Sequence, residues 1–111
     1  VDIKETREFT LEIGNDELSE RAKRWAARAE ADCVSDLPGQ LKFKRGSFWH
    51  FGFNPRKLIP CEVVVAHAPD EEGRIVCTVY WNHIFVMTTR FMRSLVADEA
   101  DLLVAYLKGA L

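Results

Sequence analysis

Two cysteines and two histidines, Cys61, His67, Cys77 and His83, are the residues of this chain most able to do chemistry together. They share one parity in two apolar runs, residues 61–68 and 74–87, on either side of the polar segment Pro69-Asp70-Glu71-Glu72-Gly73. Zinc accepts such a donor set, but all four atoms must lie about 2.0 to 2.3 Å from one ion. Pairing the two runs brings Cys61 near His83 and His67 near Cys77, with several strand positions between the two pairs. His67 with Cys77 could also form a nucleophilic couple, yet no acid or amide shares their face to orient the imidazole. The expectation is core thiols and edge histidines, with no metal, no cofactor and no catalytic residue. Phosphate loops, nucleophile elbows and His-Glu-x-x-His are absent from the sequence. The acidic triplet Asp70-Glu71-Glu72 is too short for a calcium loop and reads as a solvated turn.

A second constellation is basic and aromatic. Residues 38–61 contain five cations, Lys42, Lys44, Arg45, Arg56 and Lys57, and no acid. Interleaved with Trp49 and Phe51, they could hold single-stranded nucleic acid or another polyanion, with cations on phosphates and rings on bases. The plainer reading makes Phe43 and the later aromatics core and the cations the wet side of a strand. The third candidate is a pocket lined by Trp49, Phe51, Phe53, Trp81 and Phe85, enough aromatic surface to enclose an apolar molecule.

These residues need a frame. The runs at 61–68 and 74–87 are rich in β-branched and aromatic residues and form a β-hairpin. Placing Ala68 opposite Arg74 across a five-residue turn sets Val65 against Cys77, Val63 against Val79 and Cys61 against Trp81. The richer face is then Cys61, Val63, Val65, His67, Ile75, Cys77, Val79, Trp81, His83, Phe85 and Met87. A one-residue slip would turn all of these outward. The other face mixes Glu62, Thr78, Tyr80 and Asn82 with Val64, Val76, Ile84 and Val86, so it calls for a second cover: sheet curvature, a ligand or another subunit.

Before the hairpin, residues 6–13 alternate as a half-buried strand with Phe9, Leu11 and Ile13 inward. A helix over 16–32 follows, capped by Asn15 or Asp16, with Leu18, Ala22, Trp25, Ala26 and Ala29 on one face. Its outer arginines Arg21, Arg24 and Arg28 read as solvated surface, since Glu17 and Glu20 precede the first two by four residues. Leu37-Pro38-Gly39 is a turn, and a bent strand runs from 41 to 53. After Met87 a helical stripe holds Phe91, Met92, Leu95, Val96, Leu102, Leu103, Tyr106 and Leu107. Glu99 falls inside that stripe, and the cost of burying an unpaired carboxylate favours a break near Asp98. Gly109 ends the helix.

The 111 residues make one domain, residues 1–111, of class α+β. A mostly antiparallel curved sheet of four or five strands carries two helices on one face, in the order β-α-β-β-β-α. Such a plan, shared with long-stranded helix-grip domains, can enclose an apolar cavity. Composition is that of an ordinary globular chain: 48 % hydrophobic, 29 % charged, net charge −2. Three cysteines without Cys-x-x-Cys spacing read as free buried thiols. With no apolar run near 20 residues and no signal pattern, no membrane insertion and a cytoplasmic location are expected. The functional expectation is a non-catalytic domain that binds an apolar small molecule or a protein partner, a second copy of itself included. Nucleic-acid binding along residues 42–57 is the alternative.

Overall fold

A computed structural model describes residues 2–46, 60–84 and 90–110. The described chain is an α+β domain in the order β1 (Asp2–Leu11), α1 (Asn15–Ala29), β2 (Asp32–Leu37), β3 (Gln40–Arg45), β4 (Cys61–Pro69), β5 (Ile75–Ile84), α2 (Arg90–Leu107). The strands form one open antiparallel sheet in the order β1-β5-β4-β3-β2. The predicted class and the single-face placement of the helices hold. Leu41, Phe43, Cys61, Val63, Val65, Ile75, Cys77, Val79 and Trp81 point to the helices and are buried.

The hairpin has the expected faces in a different register. Val65 lies opposite Val79, Val63 opposite Trp81, Cys61 opposite His83 and His67 opposite Cys77, two residues from the predicted pairing. The turn explains the shift. Asp70 and Arg74 close it, with Asp70 N–H donating to the Arg74 carbonyl at 2.7 Å and Gly73 N–H to the Asp70 carbonyl at 3.2 Å. The loop is therefore three residues, Glu71 to Gly73, with Gly73 at φ 79° in the left-handed region, the type I turn plus glycine bulge of short hairpins. Asp70 Oδ1 accepts from the backbone N–H of both Glu72 (2.9 Å) and Arg74 (2.8 Å), which fixes the turn. Because side chains alternate with period two, a two-residue slip preserves every inward residue.

Strand β2 is an addition to the predicted order. It was unreadable as a strand because Cys33, Val34 and Leu37 are all exposed at the sheet edge, leaving no buried alternation to see. Cys33 is correspondingly an exposed thiol, whereas Cys61 and Cys77 are buried as expected. Helix α1 stops at Ala29, shorter than predicted, and Glu30 takes a left-handed φ of 58° as its C-cap. Gly14 is the N-cap, without a side-chain bond. Leu18, Ala22, Trp25 and Ala26 form its buried face as expected. β1 begins four residues earlier than predicted, and Ile3 and Leu11 are its buried ends.

Helix α2 runs unbroken through Asp98, which corrects the predicted interruption. Val96, Glu99, Ala100, Leu103 and Leu107 make its buried stripe, while Phe91 and Leu102, assigned to that stripe from sequence, are exposed. Its end is a Schellman closure: Gly109 N–H donates to Tyr106 O (3.1 Å) and Ala110 N–H to Ala105 O (2.9 Å). Arg21 of α1 donates to the Leu107 carbonyl at 2.9 Å, tying the two helices. Glu17 holds Arg21 at 2.9 Å, the intrahelical pair expected from their spacing. Of the apolar residues on the outer sheet face, Val64 and Val76 are half-buried; the side chain of Ile84 and all of Val86 lie outside the described residues.

The β2–β3 connection is the two-residue turn Pro38-Gly39, with Leu37 paired to Gln40. Gly39 has φ 84°, and a Cβ there would sit 3.3 Å from the His67 carbonyl oxygen. Its own carbonyl accepts from His67 N–H at 2.9 Å, which anchors the turn to β4. Gly39→Ala is therefore expected to cost about 1 to 2 kcal/mol, read as a lower urea midpoint at unchanged slope.

Candidate functional site

The sheet parity that buries Leu41 and Phe43 on β3 also buries Arg45, and that is the origin of the site. Its guanidinium Nη2 lies 2.8 Å from Glu99 Oε2 on α2, with the two side chains only 4 % and 8 % exposed. The carboxylate inside the apolar stripe thus has a partner 54 residues away. Arg45 Nη1 also reaches the Ala29 carbonyl at the end of α1, at 3.5 Å. A guanidinium has five N–H donors. Among the described residues neither Arg45 Nε nor Trp81 Nε1 has a hydrogen-bond partner.

Around this pair stands an aromatic cluster. Trp25 meets Phe43 edge-on at 5.7 Å and Trp81 at 5.4 Å, Trp81 meets His83 at 5.9 Å, and the Arg45 guanidinium lies 6.0 Å from the Trp81 ring. Between sheet, α1 and α2 the cluster leaves a cavity of about 230 Å³. Helix α1 contributes Trp25, Arg28 and Ala29, the sheet Arg45 and Trp81, and α2 Glu99, Leu102 and Tyr106.

Of the pocket residues expected from sequence, Trp81 lines this cavity; Trp49, Phe51, Phe53 and Phe85 lie outside the described residues. Sequence reasoning missed the helical contributors. Ala29 and Tyr106 were legible only as helix faces, but Glu99 was a visible anomaly. Of the expected anion-binding residues, Arg56 and Lys57 lie outside the described residues. Lys42 and Lys44 share one carboxylate, Glu62, at 3.2 and 3.9 Å, on the outer sheet face. Arg45 points the other way and is spent on Glu99.

Cys61, Cys77 and His83 are buried, and His67 is half-buried toward the end of β4. Burial pushes the Cys61 thiol up to about 12 and Cys77 to about 11, so both are protonated at neutral pH. Burial lowers His67, partly opposed by Asp36, and pushes His83 down to about 4 against the pull of Glu99. Cys61 opposite His83 and His67 opposite Cys77 stand six strand positions apart, about 20 Å at ~3.3 Å per residue. Among the described residues no three His, Cys, Asp or Glu side chains gather as a metal site.

The five-stranded antiparallel sheet, whose first and last strands pair, carries the two helices over one face with the cavity between. Among solved structures the chain is similar to the crystal structure of Ara h 8.0201, with a TM-score of 0.62 at 7 % identity, over 99 % of this chain and 97 % of that one. It is also similar to the Mll3558 protein from Rhizobium loti, with a TM-score of 0.54 at 13 % identity, over 100 % and 98 %. At these identities the likeness is one of fold. No family model matches the sequence, and no curated protein does.

Two outcomes follow from this geometry. Glu99→Leu should cost about 3 to 5 kcal/mol because it strands the Arg45 charge, whereas adding Arg45→Met should recover most of the loss in urea denaturation. His83 is neutral when folded and gains a proton more easily when unfolded, so its contribution is complete above pH 6.5 and is lost as pH falls toward 4. In that window stability should fall with a slope approaching about 1.4 kcal/mol per pH unit, with His67 adding a smaller part. His83→Gln should flatten most of it.

Proposed function

We propose that this protein is a non-catalytic binding domain that holds a small apolar molecule in the cavity between the sheet and the two helices. The observation that carries the reading is the cavity itself. Its volume of about 230 Å³ exceeds the roughly 150 Å³ apolar cavity that suffices for benzene. It falls below the usual ~300 to 1,000 Å³ of drug-sized sites, which indicates a compact ligand of one or two rings. Trp25, Trp81, Ala29, Leu102 and Tyr106 supply flat and aliphatic surface on opposite sides of that space. The fold likeness to Ara h 8.0201 and Mll3558 is consistent with a sheet-helix cavity as the working part of the molecule. Among the described residues no helix is long and apolar enough to cross a membrane.

Ethylbenzene is a suitable probe. A ligand present at a hundredfold its Kd stabilises the folded state by about 2.7 kcal/mol. That corresponds to a rise in melting temperature of several degrees for a chain of this size. Ala29→Phe, which grows a ring into the cavity from the end of α1, should abolish the shift. No shift in the unsubstituted protein up to the solubility limit of ethylbenzene would overturn the reading.

A further inference from the structure

The sheet has two edges, and the chain treats them differently. At one edge β2 is six residues long, carries a bulge between Cys33 and Ser35, and turns the Asp36 carboxylate toward Lys23 of α1 at 2.6 Å. Short length, bulges and inward-turned charges keep an edge strand from recruiting another strand. At the other edge β1 is ten residues long and pairs with β5 without a register shift; among the described residues no strand lies on its outer side. Charges can also blunt an edge, and β1 has them in Lys4, Glu5, Arg7 and Glu8. Their order decides the matter. Laid antiparallel against itself about Thr6, the strand sets Lys4 opposite the partner's Glu8, Glu5 opposite the partner's Arg7 and Ile3 opposite the partner's Phe9. Residues directly opposite have Cβ atoms about 4.5 to 5.5 Å apart, where unlike charges attract and like charges repel. A shift of one residue sets Lys4 against Arg7 or Glu5 against Glu8. A shift of two sets Glu5 against Glu5 or Arg7 against Arg7. The faces agree as well, since Ile3, Glu5, Arg7 and Phe9 stand on the helix side of the sheet, whereas Lys4, Thr6 and Glu8 are exposed on the other side.

We propose that β1 is a homodimer interface: two copies join edge to edge, antiparallel about Thr6, into one continuous sheet with the helices of both copies on the same side. The occupant is a second copy because a strand with this charge order is its own complement. The inference is independent of the cavity and of what the cavity holds. A contact one strand wide is smaller than the about 1,600 Å² of a standard interface, so the dimer dissociates at micromolar concentrations. Its exposed ionic pairs make it weaker as salt is raised.

Sedimentation equilibrium of the intact protein from micromolar to millimolar concentration, at low and at high salt, tests this. Dimer should accumulate with concentration and recede with salt. Lys4→Glu and Glu8→Lys both lie at exposed positions, and each turns two cross-strand attractions into repulsions, so each should weaken the dimer about tenfold or more. The double variant should regain it. An equimolar mixture of the two single variants should form a mixed dimer, because each repels itself and complements the other. Monomer alone at millimolar concentration in the unsubstituted protein would overturn the proposal, as would a dimer indifferent to salt. A dimer that both single variants leave unchanged would place the contact elsewhere and overturn it too. Weakening by the single variants with no recovery in the double variant or the mixture would overturn the Thr6-centred register.

Discussion

A guanidinium and a carboxylate meet inside this molecule, and the rest of the fold is arranged so that they can. Arg45 stands at the last position of β3 and Glu99 at the middle of α2, so their contact fixes how far the second helix lies along the sheet. Taking two charges out of water costs several kcal/mol per ion, which is recovered only with close geometry and further hydrogen bonds. The pair has the close geometry. Of the further bonding, the described residues show the long contact from Arg45 to the Ala29 carbonyl. The helix that carries Glu99 is held at two other points, by Arg7 of β1 donating to Asp101 at 2.9 Å and by Arg21 of α1 donating to its terminal carbonyl. Those surface and end contacts are weak singly, but they remove the freedom by which α2 could otherwise rotate Glu99 back to water.

The same parity decides which cations are available at the surface. Residues 41 to 45 read Leu-Lys-Phe-Lys-Arg, and a strand that turns Leu41 and Phe43 inward must turn Arg45 inward too. Lys42 and Lys44 go to the opposite face, where Glu62 of the neighbouring strand lies between them. What composition presents as one basic stretch is therefore divided by the sheet into an inner charge and an outer pair.

That division was legible and went unread. The alternation of β3, the inward set of the hairpin and the apolar face of α1 were all visible as period-two or helical spacing. Glu99 was equally visible as a carboxylate out of place. Local reasoning breaks the helix there because it asks only whether the immediate neighbours can neutralise a charge, and the neutralising residue belongs to a strand far away in sequence. An inward-facing Arg45 and an inward-facing Glu99 in one short chain were the two halves of a single signal. Strand β2 carried no such signal, for an edge strand with exposed Val34 and Leu37 lacks the buried alternation that marks a strand. Sizing the turn by its polar residues puts the hairpin register two residues off. Its geometry is set instead by the Asp70 carboxylate, which collects two backbone N–H groups, and by the positive φ of Gly73.

The cavity is a consequence of these choices. On its inner face α1 presents two large residues, Leu18 and Trp25, among the small Ala22, Ala26 and Ala29, and Trp25 and Ala29 border the cavity. A gap lined by apolar groups alone ordinarily shrinks, since each missing contact forfeits dispersion energy and neighbours relax toward it. Here the gap borders the Arg45–Glu99 pair as well as an indole, and pressing aliphatic groups against the charged pair would supply contact without supplying a hydrogen bond. Closing the space therefore gains little at the end where the polar groups stand. The ion pair that locates α2 also holds open the volume beside it, and position and vacancy have a common cause.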